Sequence, residues 1–97
     1  MDGKNILDEE GLLKLSELFQ LLSDPTRIRI VNMLYNAEMC VEDIAREAGK
    51  SQSLVSHHLS RLRARDIVSA RQDGKRSFYR LGGQRIERIV ELLFISD

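Results

Sequence analysis

Apolar residues recur at three- and four-residue spacings in several parts of the chain. Residues 9–22 carry a broad apolar stripe, which predicts an amphipathic helix. Ser23, Asp24 and Pro25 then separate it from a second helix predicted to run to about Tyr35, because Asp24 can cap a helix and proline fits its first turn. In this second helix Ile28, Val31, Leu34 and Tyr35 are expected to face the core, and Arg27 and Arg29 are expected outside.

Three more helices follow from the same spacing. Residues 41–48 are predicted to form a third helix that ends at Gly49, and a fourth opens on Ser51 as its N-cap and runs to about Arg65. Residues 84–95 are predicted to form the last. The expected buried side of the fourth helix is Leu54, Val55, Leu59 and Leu62.

Between the fourth and last helices the period changes from about 3.6 to 2. Residues 67–71 and 76–81 are typical of strands, and Gln72-Asp73-Gly74-Lys75 joins them with an Asp-Gly pair that favours a tight hairpin. The pattern therefore predicts a mainly α domain with a small β-hairpin, in the order of four helices, two strands and a fifth helix.

Length and composition agree with one small domain over residues 1–97. The chain has 97 residues, of which 42% are hydrophobic, so it can bury a core. No apolar run approaches the roughly 18 residues of a membrane span, and no basic-then-apolar leader opens the chain. A cytoplasmic protein with no membrane partner is expected. The single cysteine, Cys40, cannot form an internal disulfide.

The net charge of zero conceals an uneven distribution of charge. Residues 1–49 hold five basic and ten acidic side chains, whereas residues 50–85 hold nine basic side chains and two acidic ones. A basic middle segment between acidic ends is typical of a surface that binds nucleic acid, and a solvated charged face is the alternative.

A candidate helix-turn-helix over about residues 41–65 overlaps the basic segment, which also contains a candidate β-wing over residues 67–81. The second helix of the pair opens on small polar side chains, which suit the DNA major groove, and the basic wing tip can contact phosphate or enter the minor groove. Unlike the residues expected to contact DNA, His58 is expected to pack or to form a hydrogen bond within the helical core. The residues expected to contact double-stranded DNA are Ser51, Gln52, Ser53, Ser56, His57, Arg61, Lys75 and Arg76.

The first and last helices are expected to form the seam of a homodimer. A domain of this size leaves apolar stripes that a second copy of the chain covers better than water does. The residues expected at this interface are Leu12, Leu15, Phe19, Ile86, Ile89, Val90 and Leu93.

Four segments, in the right order, resemble the winged-helix repressors of the ArsR/SmtB family. They are LSDPTRIRI at residues 22–30, EMCVEDIA at 38–45, SQSLVSHHL at 51–59 and GKRSFYRL at 74–81. The resemblance covers roughly residues 12–94. It implies a winged helix-turn-helix homodimer that binds an imperfect inverted repeat in its own promoter region, represses transcription, and releases DNA when a signal shifts the dimer.

The residues do not match the metal sites of that family. Its third-helix sites use a Cys-x-Cys pair, where this chain has Cys40 and Glu42, and its last-helix sites begin with Asp-x-His, where this chain has residues 83–85, Gly-Gln-Arg. His57 and His58 are adjacent in a predicted helix, where neighbouring side chains diverge by about 100° and do not chelate together. We therefore expect no complete metal site and no cofactor.

Several alternatives remain open at this point. Cys40 could respond to oxidation or to thiols, or it could be a buried small side chain at the start of the third helix. A metal-responsive repressor and a winged-helix module that binds another protein are also compatible with the pattern. An enzyme is not predicted, because the chain has no Gly-rich phosphate loop, no HExxH and no G-x-S-x-G motif.

Overall fold

The computed structural model describes residues 7–94 and confirms a mainly helical domain with a small antiparallel sheet. Among these residues no helix combines the length and the apolarity that crossing a bilayer requires. The predicted end of the last helix, Ile95, lies outside the described residues. The elements are α1 (Glu9–Leu21), α2 (Pro25–Met33), β1 (Met39–Cys40), α3 (Val41–Ala48), α4 (Gln52–Ala64), β2 (Val68–Asp73), β3 (Arg76–Leu81) and α5 (Gln84–Phe94).

The cap predicted for α2 is present, but the helix ends earlier than expected. Asp24 accepts hydrogen bonds from the backbone N–H groups of Thr26 (2.8 Å) and Arg27 (3.1 Å), and these bonds lower the pKa of its carboxyl group. The predicted end at Tyr35 is wrong by two residues. The chain leaves the helix and reaches Asn36, whose φ of 57° is left-handed, a conformation that asparagine tolerates better than most residues.

The sheet has three strands rather than two, in the order β1-β3-β2. The sequence did not reveal β1, because two residues are too short to show a period of 2. Its partners are residues of β3, Met39 with Tyr79 and Cys40 with Phe78. The short strand attaches the hairpin to the start of α3, so the wing and the helix-turn-helix form one unit.

The turn of the hairpin lies one residue later than predicted. Asp73 pairs with Arg76, which leaves Gly74 and Lys75 as the two central residues. Gly74 has a φ of 63°, the positive value that glycine supplies at the first central position of a type II′ turn. Lys75 therefore lies at the tip of the wing.

The core lies where α2, α3 and α4 meet, and the sheet and α5 close it. Leu54, which was expected in the core, is 39% exposed, because it lies in the first turn of α4 at the boundary of the buried face. Ile28 is 37% exposed and borders a groove beside α5 instead. The side chains that are at most 1% exposed include Ile30, Leu34, Ile44, Val55, Leu59 and Leu62.

The two terminal helices pack on this core to different degrees. Leu21 is the only buried residue of α1. Val90 of α5 is buried, and α5 is also held by Tyr35, whose hydroxyl donates a 2.7 Å hydrogen bond to Glu91 Oε2; this bond raises the pKa of Tyr35. The faces of α1 and α5 that point away from the core are left uncovered in a single chain.

Candidate nucleic-acid interface

The start of α4 is fixed by two caps on either side of a short turn. Gly49 ends α3 in the left-handed conformation, with a φ of 67°, and Ser51 begins α4 by accepting a 3.1 Å hydrogen bond from the backbone N–H of Leu54. Both caps agree with the sequence prediction. The Ser51 hydroxyl is therefore occupied as a helix cap.

The outward face of α4 carries short polar side chains at its N-terminal end. Gln52, Ser53, Ser56 and His57 are all exposed on the side opposite the buried residues of the helix. Sequence reasoning overlooked Ser60, which is also exposed and follows Ser56 by four residues, so the two lie on the same face. These side chains can donate and accept hydrogen bonds and are small enough to approach the edges of base pairs.

His58 points inward, as predicted, and has an unexpected partner. The ring is 7% exposed, and its Nδ1 lies 3.3 Å from the guanidinium of Arg27. Because an arginine can only donate, Nδ1 accepts, so the imidazole is neutral in this arrangement. Burial is the largest effect that lowers the pKa of His58, and the nearby charge of Arg27 lowers it further.

Arg27 is not an outward-facing side chain, contrary to the sequence prediction. Besides the bond to His58, its Nε donates a 2.6 Å hydrogen bond to the carbonyl oxygen of Leu21. The sequence could not show this, because Arg27 and His58 are 31 residues apart and meet only in the fold. Arg27 therefore connects the end of α1 to the middle of α4.

The wing presents its two predicted basic residues, Lys75 and Arg76, as exposed side chains at the tip. Cys40, which precedes α3, pairs with Phe78 of β3. Arg76 lies two residues before Phe78, and its charge contributes, after the larger effects of Cys40 and Arg46, to lowering the pKa of Asp43 in the first turn of α3. Positive charge is thus presented beside the helix-turn-helix.

An ion pair at the base of the wing was not predicted. Arg71 donates from Nε and Nη2 to the two carboxylate oxygens of Glu38, at 2.9 and 2.8 Å, and its guanidinium lies 4.8 Å from the centre of the Phe78 ring. The hydrogen bonds lower the pKa of Glu38 and raise that of Arg71. Arg71 therefore links the wing to the segment before β1.

Arg61 lies at the edge of the polar face. Its side chain lines a cleft between α4 and α1, together with Arg27 and Arg65. The structure therefore places Arg61 beside α1, away from the group formed by Gln52, Ser53 and Ser56.

Most of the side chains predicted at the dimer seam form an exposed apolar face. Val90 and Ile86 are the exceptions: Val90 is 5% exposed and packs in the core of its own chain, and Ile86 is partly buried against that core. The sequence prediction omitted Leu13 and Leu92, which are 61% and 77% exposed. A groove of about 190 Å³ runs between α1 and α5 and is lined by apolar residues, among them Phe19, Ile86, Ile89 and Leu93.

Cys40 is 1% exposed and precedes the first turn of α3. Cys40 is the largest effect that lowers the pKa of the nearby Asp43 carboxyl group. Within the described part of the chain, no three histidine, cysteine or carboxylate side chains are grouped so that they could hold a metal ion.

Comparison with known proteins places this arrangement in a family. The model of the bacterial regulatory protein, arsR family, matches residues 24–70. The HTH-type transcriptional regulator KmtR of Mycobacterium tuberculosis is 34% identical over 88 residues, which are 91% of this chain and 68% of that protein. The arsenical resistance operon repressor of Staphylococcus aureus is 32% identical over 84 residues, 87% of this chain and 81% of that protein.

A solved structure gives the same result for the fold. The homodimeric winged helix-turn-helix DNA-binding domain of a possible ArsR-family transcriptional regulator from Mycobacterium bovis superposes with a TM-score of 0.84. It is 27% identical, and the alignment covers 98% of this chain and 88% of that one. With its helix-turn-helix, its basic wing and these relatives, the chain belongs to the arsR family of bacterial regulatory proteins.

Proposed function

We propose that this protein is a homodimeric, sequence-specific DNA-binding repressor of transcription. The observations that carry the proposal are the exposed polar face of α4, formed by Gln52, Ser53, Ser56 and His57, and the exposed basic tip of the wing. The names of the relatives agree with it, since one is an operon repressor and another a transcriptional regulator.

The two parts of the surface would perform different tasks on DNA. The major groove admits one α-helix, and Gln52 can form a bidentate hydrogen bond with adenine, while Ser53 and Ser56 can bond to either strand. Lys75 and Arg76 would contact phosphates or the minor groove, which supplies affinity but little choice of sequence. Ser51 would act mainly by fixing the start of α4, because its hydroxyl caps the helix.

The dimer follows from the apolar face on α1 and α5. Phe19 and Leu93 are 60% and 61% exposed and line the same groove. Exposing these apolar side chains to water is unfavourable, and a second copy of the chain would cover them. Two-fold symmetry would set two α4 helices against two half-sites, so the expected target is an inverted repeat with half-site centres about one helical turn apart.

The burial of Cys40 supports a structural role over a sensory one. A thiol that is 1% exposed is poorly accessible to oxidants or metals. We therefore propose that the signal acts through neither a thiol at Cys40 nor the known metal sites of the family.

Selection of bound duplexes from a random DNA library tests the proposal without any knowledge of the target gene. We expect enrichment of an inverted repeat after a few rounds at moderate salt. Enrichment of a single half-site would contradict the dimeric mode, and no enrichment would favour a winged-helix module that binds another protein.

A further inference from the structure

A polar cleft separates the C-terminal half of α1 from the C-terminal half of α4. It encloses about 620 Å³ and opens to solvent. Its floor is the buried Leu21, and Gln20 lies on one wall. The charged residues that line the cleft are Glu17, Arg27, Arg61 and Arg65. We call this feature the arginine cleft.

The arginine cleft carries an excess of positive charge. Among the described residues, three guanidinium groups and one carboxylate line it, and that carboxylate, Glu17, is paired with Arg65. Within residues 7–94 the structure gives Arg61 no ion pair.

The cleft is also partly preorganised. Arg27 is held by the Leu21 carbonyl oxygen and by His58 Nδ1, which occupy its Nε and one terminal nitrogen. A guanidinium with a fixed plane loses less entropy on binding than a free one, and its geometry matches the oxygens of a carboxylate or phosphate. Arg61 of α4 and Arg65, the C-cap of that helix, add two further guanidinium groups from the opposite side of the cleft.

We propose that the arginine cleft binds a small organic anion with phosphate or carboxylate groups, and that this anion is the signal of the repressor. Glu17 occupies part of the site when no anion is bound. Because Arg61 lies in α4 and Arg65 is its C-cap, an anion between them would cancel positive charge on the recognition helix and weaken its binding to DNA. This second step rests on the proposed function, whereas the binding step does not.

Calorimetric titration of the full chain tests binding in the absence of DNA. The probes are inorganic phosphate, pyrophosphate and citrate, each compared with chloride at equal ionic strength. We expect at least one probe to bind with a dissociation constant below about 1 mM. If none binds better than chloride, the proposal is overturned.

Four variants locate the bound anion. Arg61→Gln and Arg65→Gln are expected to weaken binding by roughly tenfold or more, since each removes charge-assisted hydrogen bonds. Arg63→Gln, an exposed arginine of α4 that does not line the cleft, is the matched control and should bind as the parent does. Glu17→Gln should bind about two- to fivefold more tightly, because the competing carboxylate is gone. Equal affinities of the Arg61 and Arg63 variants would place the anion elsewhere and overturn the proposal.

A DNA-binding measurement distinguishes a cleft that binds a free anion from one that binds the phosphates of the DNA backbone. If the cleft serves a free anion, the probe that binds in calorimetry also lowers DNA affinity in the parent but not in Arg61→Gln. If no free anion binds and Arg61→Gln alone weakens DNA binding, the cleft contacts the backbone and the proposal is overturned. A protein that binds the anion but no DNA would overturn the proposed function and the signalling step, and leave the binding site in place.

Discussion

At the scale of single residues, helical phase predicted the main division of α4 correctly. Gln52 and Ser53 are exposed and His58 is buried, as expected from their positions around the helix. Phase did not predict the exposure of Leu54 or the inward position of Arg27, because both depend on what the neighbouring helices cover. The hydrogen bond between Arg27 and His58 joins residues far apart in sequence, and no local pattern signals it.

Gln52 is predicted to determine sequence preference, and Lys75 affinity. In Gln52→Ala, binding to the preferred duplex should weaken by about 1–3 kcal/mol and its selectivity should relax, because a bidentate base contact is lost. Lys75→Ala is the control: it should weaken binding to all duplexes alike and reduce the salt slope by about 1. Competition titrations on preferred and scrambled duplexes measure both effects. Equal losses on both duplexes for Gln52→Ala would contradict the base-reading role.

His58 is predicted to make stability fall on the acid side of neutrality. Its folded-state pKa is lowered from 6.5, so between 6.5 and the folded value the unfolded chain binds more protons, and the free energy of unfolding decreases as the pH falls through this window. Below the folded value this contribution levels off. The effects on the pKa are burial, the opposing charge of Asp24, and the positive charges of Arg27, His57 and Arg61.

The variant His58→Gln tests this dependence. Glutamine keeps an acceptor for Arg27 and cannot titrate, so its free energy of unfolding should decrease less steeply than the parent's as the pH falls from about 6.5 to 5. Urea unfolding at several pH values provides the measurement. Parallel curves for parent and variant would show that His58 does not contribute to the acid dependence.

At the scale of elements, the sequence predicted the five helices and the two strands of the hairpin, with errors at their ends. It missed β1, whose two residues form a strand only because β3 lies beside them. It also could not show the tight approach after β3, where Gly82 donates a 2.8 Å backbone hydrogen bond to the carbonyl oxygen of Ile67. Contacts of this kind come from the packing of the chain and leave no periodic signal.

Gly82 is predicted to be the glycine least tolerant of substitution by alanine. A Cβ at this position would lie 2.1 Å from the carbonyl oxygen of Asp66, so backbone would have to move, at a cost of roughly 3 kcal/mol. Gly49→Ala is the comparison: it has open space around it and a φ of 67°, so it should cost only about 1 kcal/mol. Urea unfolding at one protein concentration compares them, and equal losses would contradict the close approach.

At the scale of the whole molecule, a single chain is more extended than a compact domain. Its radius of gyration is 15.0 Å, against about 12 Å expected for a compact chain of this size. The excess agrees with α1, which buries only Leu21 on its own chain. The apolar stripes of α1 and α5 could be read from the sequence, but the groove they form together required the fold.

A charge on this face is predicted to separate the two copies of the chain. Leu93→Glu would place a carboxylate in the apolar groove, where desolvating it is unfavourable, so the protein should sediment as a monomer at micromolar concentration. Leu54→Glu is the matched control, since Leu54 is also an exposed leucine but lies on α4, away from the groove. Sedimentation velocity distinguishes the two. A monomeric parent, or a dimeric Leu93→Glu, would contradict the proposed interface.

The measurement that tests the central proposal most directly is fluorescence anisotropy of the parent protein on its selected duplex and on a scrambled duplex of the same composition. It is made at 50 mM and at 200 mM salt, the range in which roughly six to ten phosphate contacts would reduce affinity by about 10³ to 10⁵. We expect preference for the selected duplex at both salt concentrations and a steep loss of affinity on both duplexes. Equal binding to the two duplexes, or affinity that does not change with salt, would contradict a sequence-specific DNA-binding repressor.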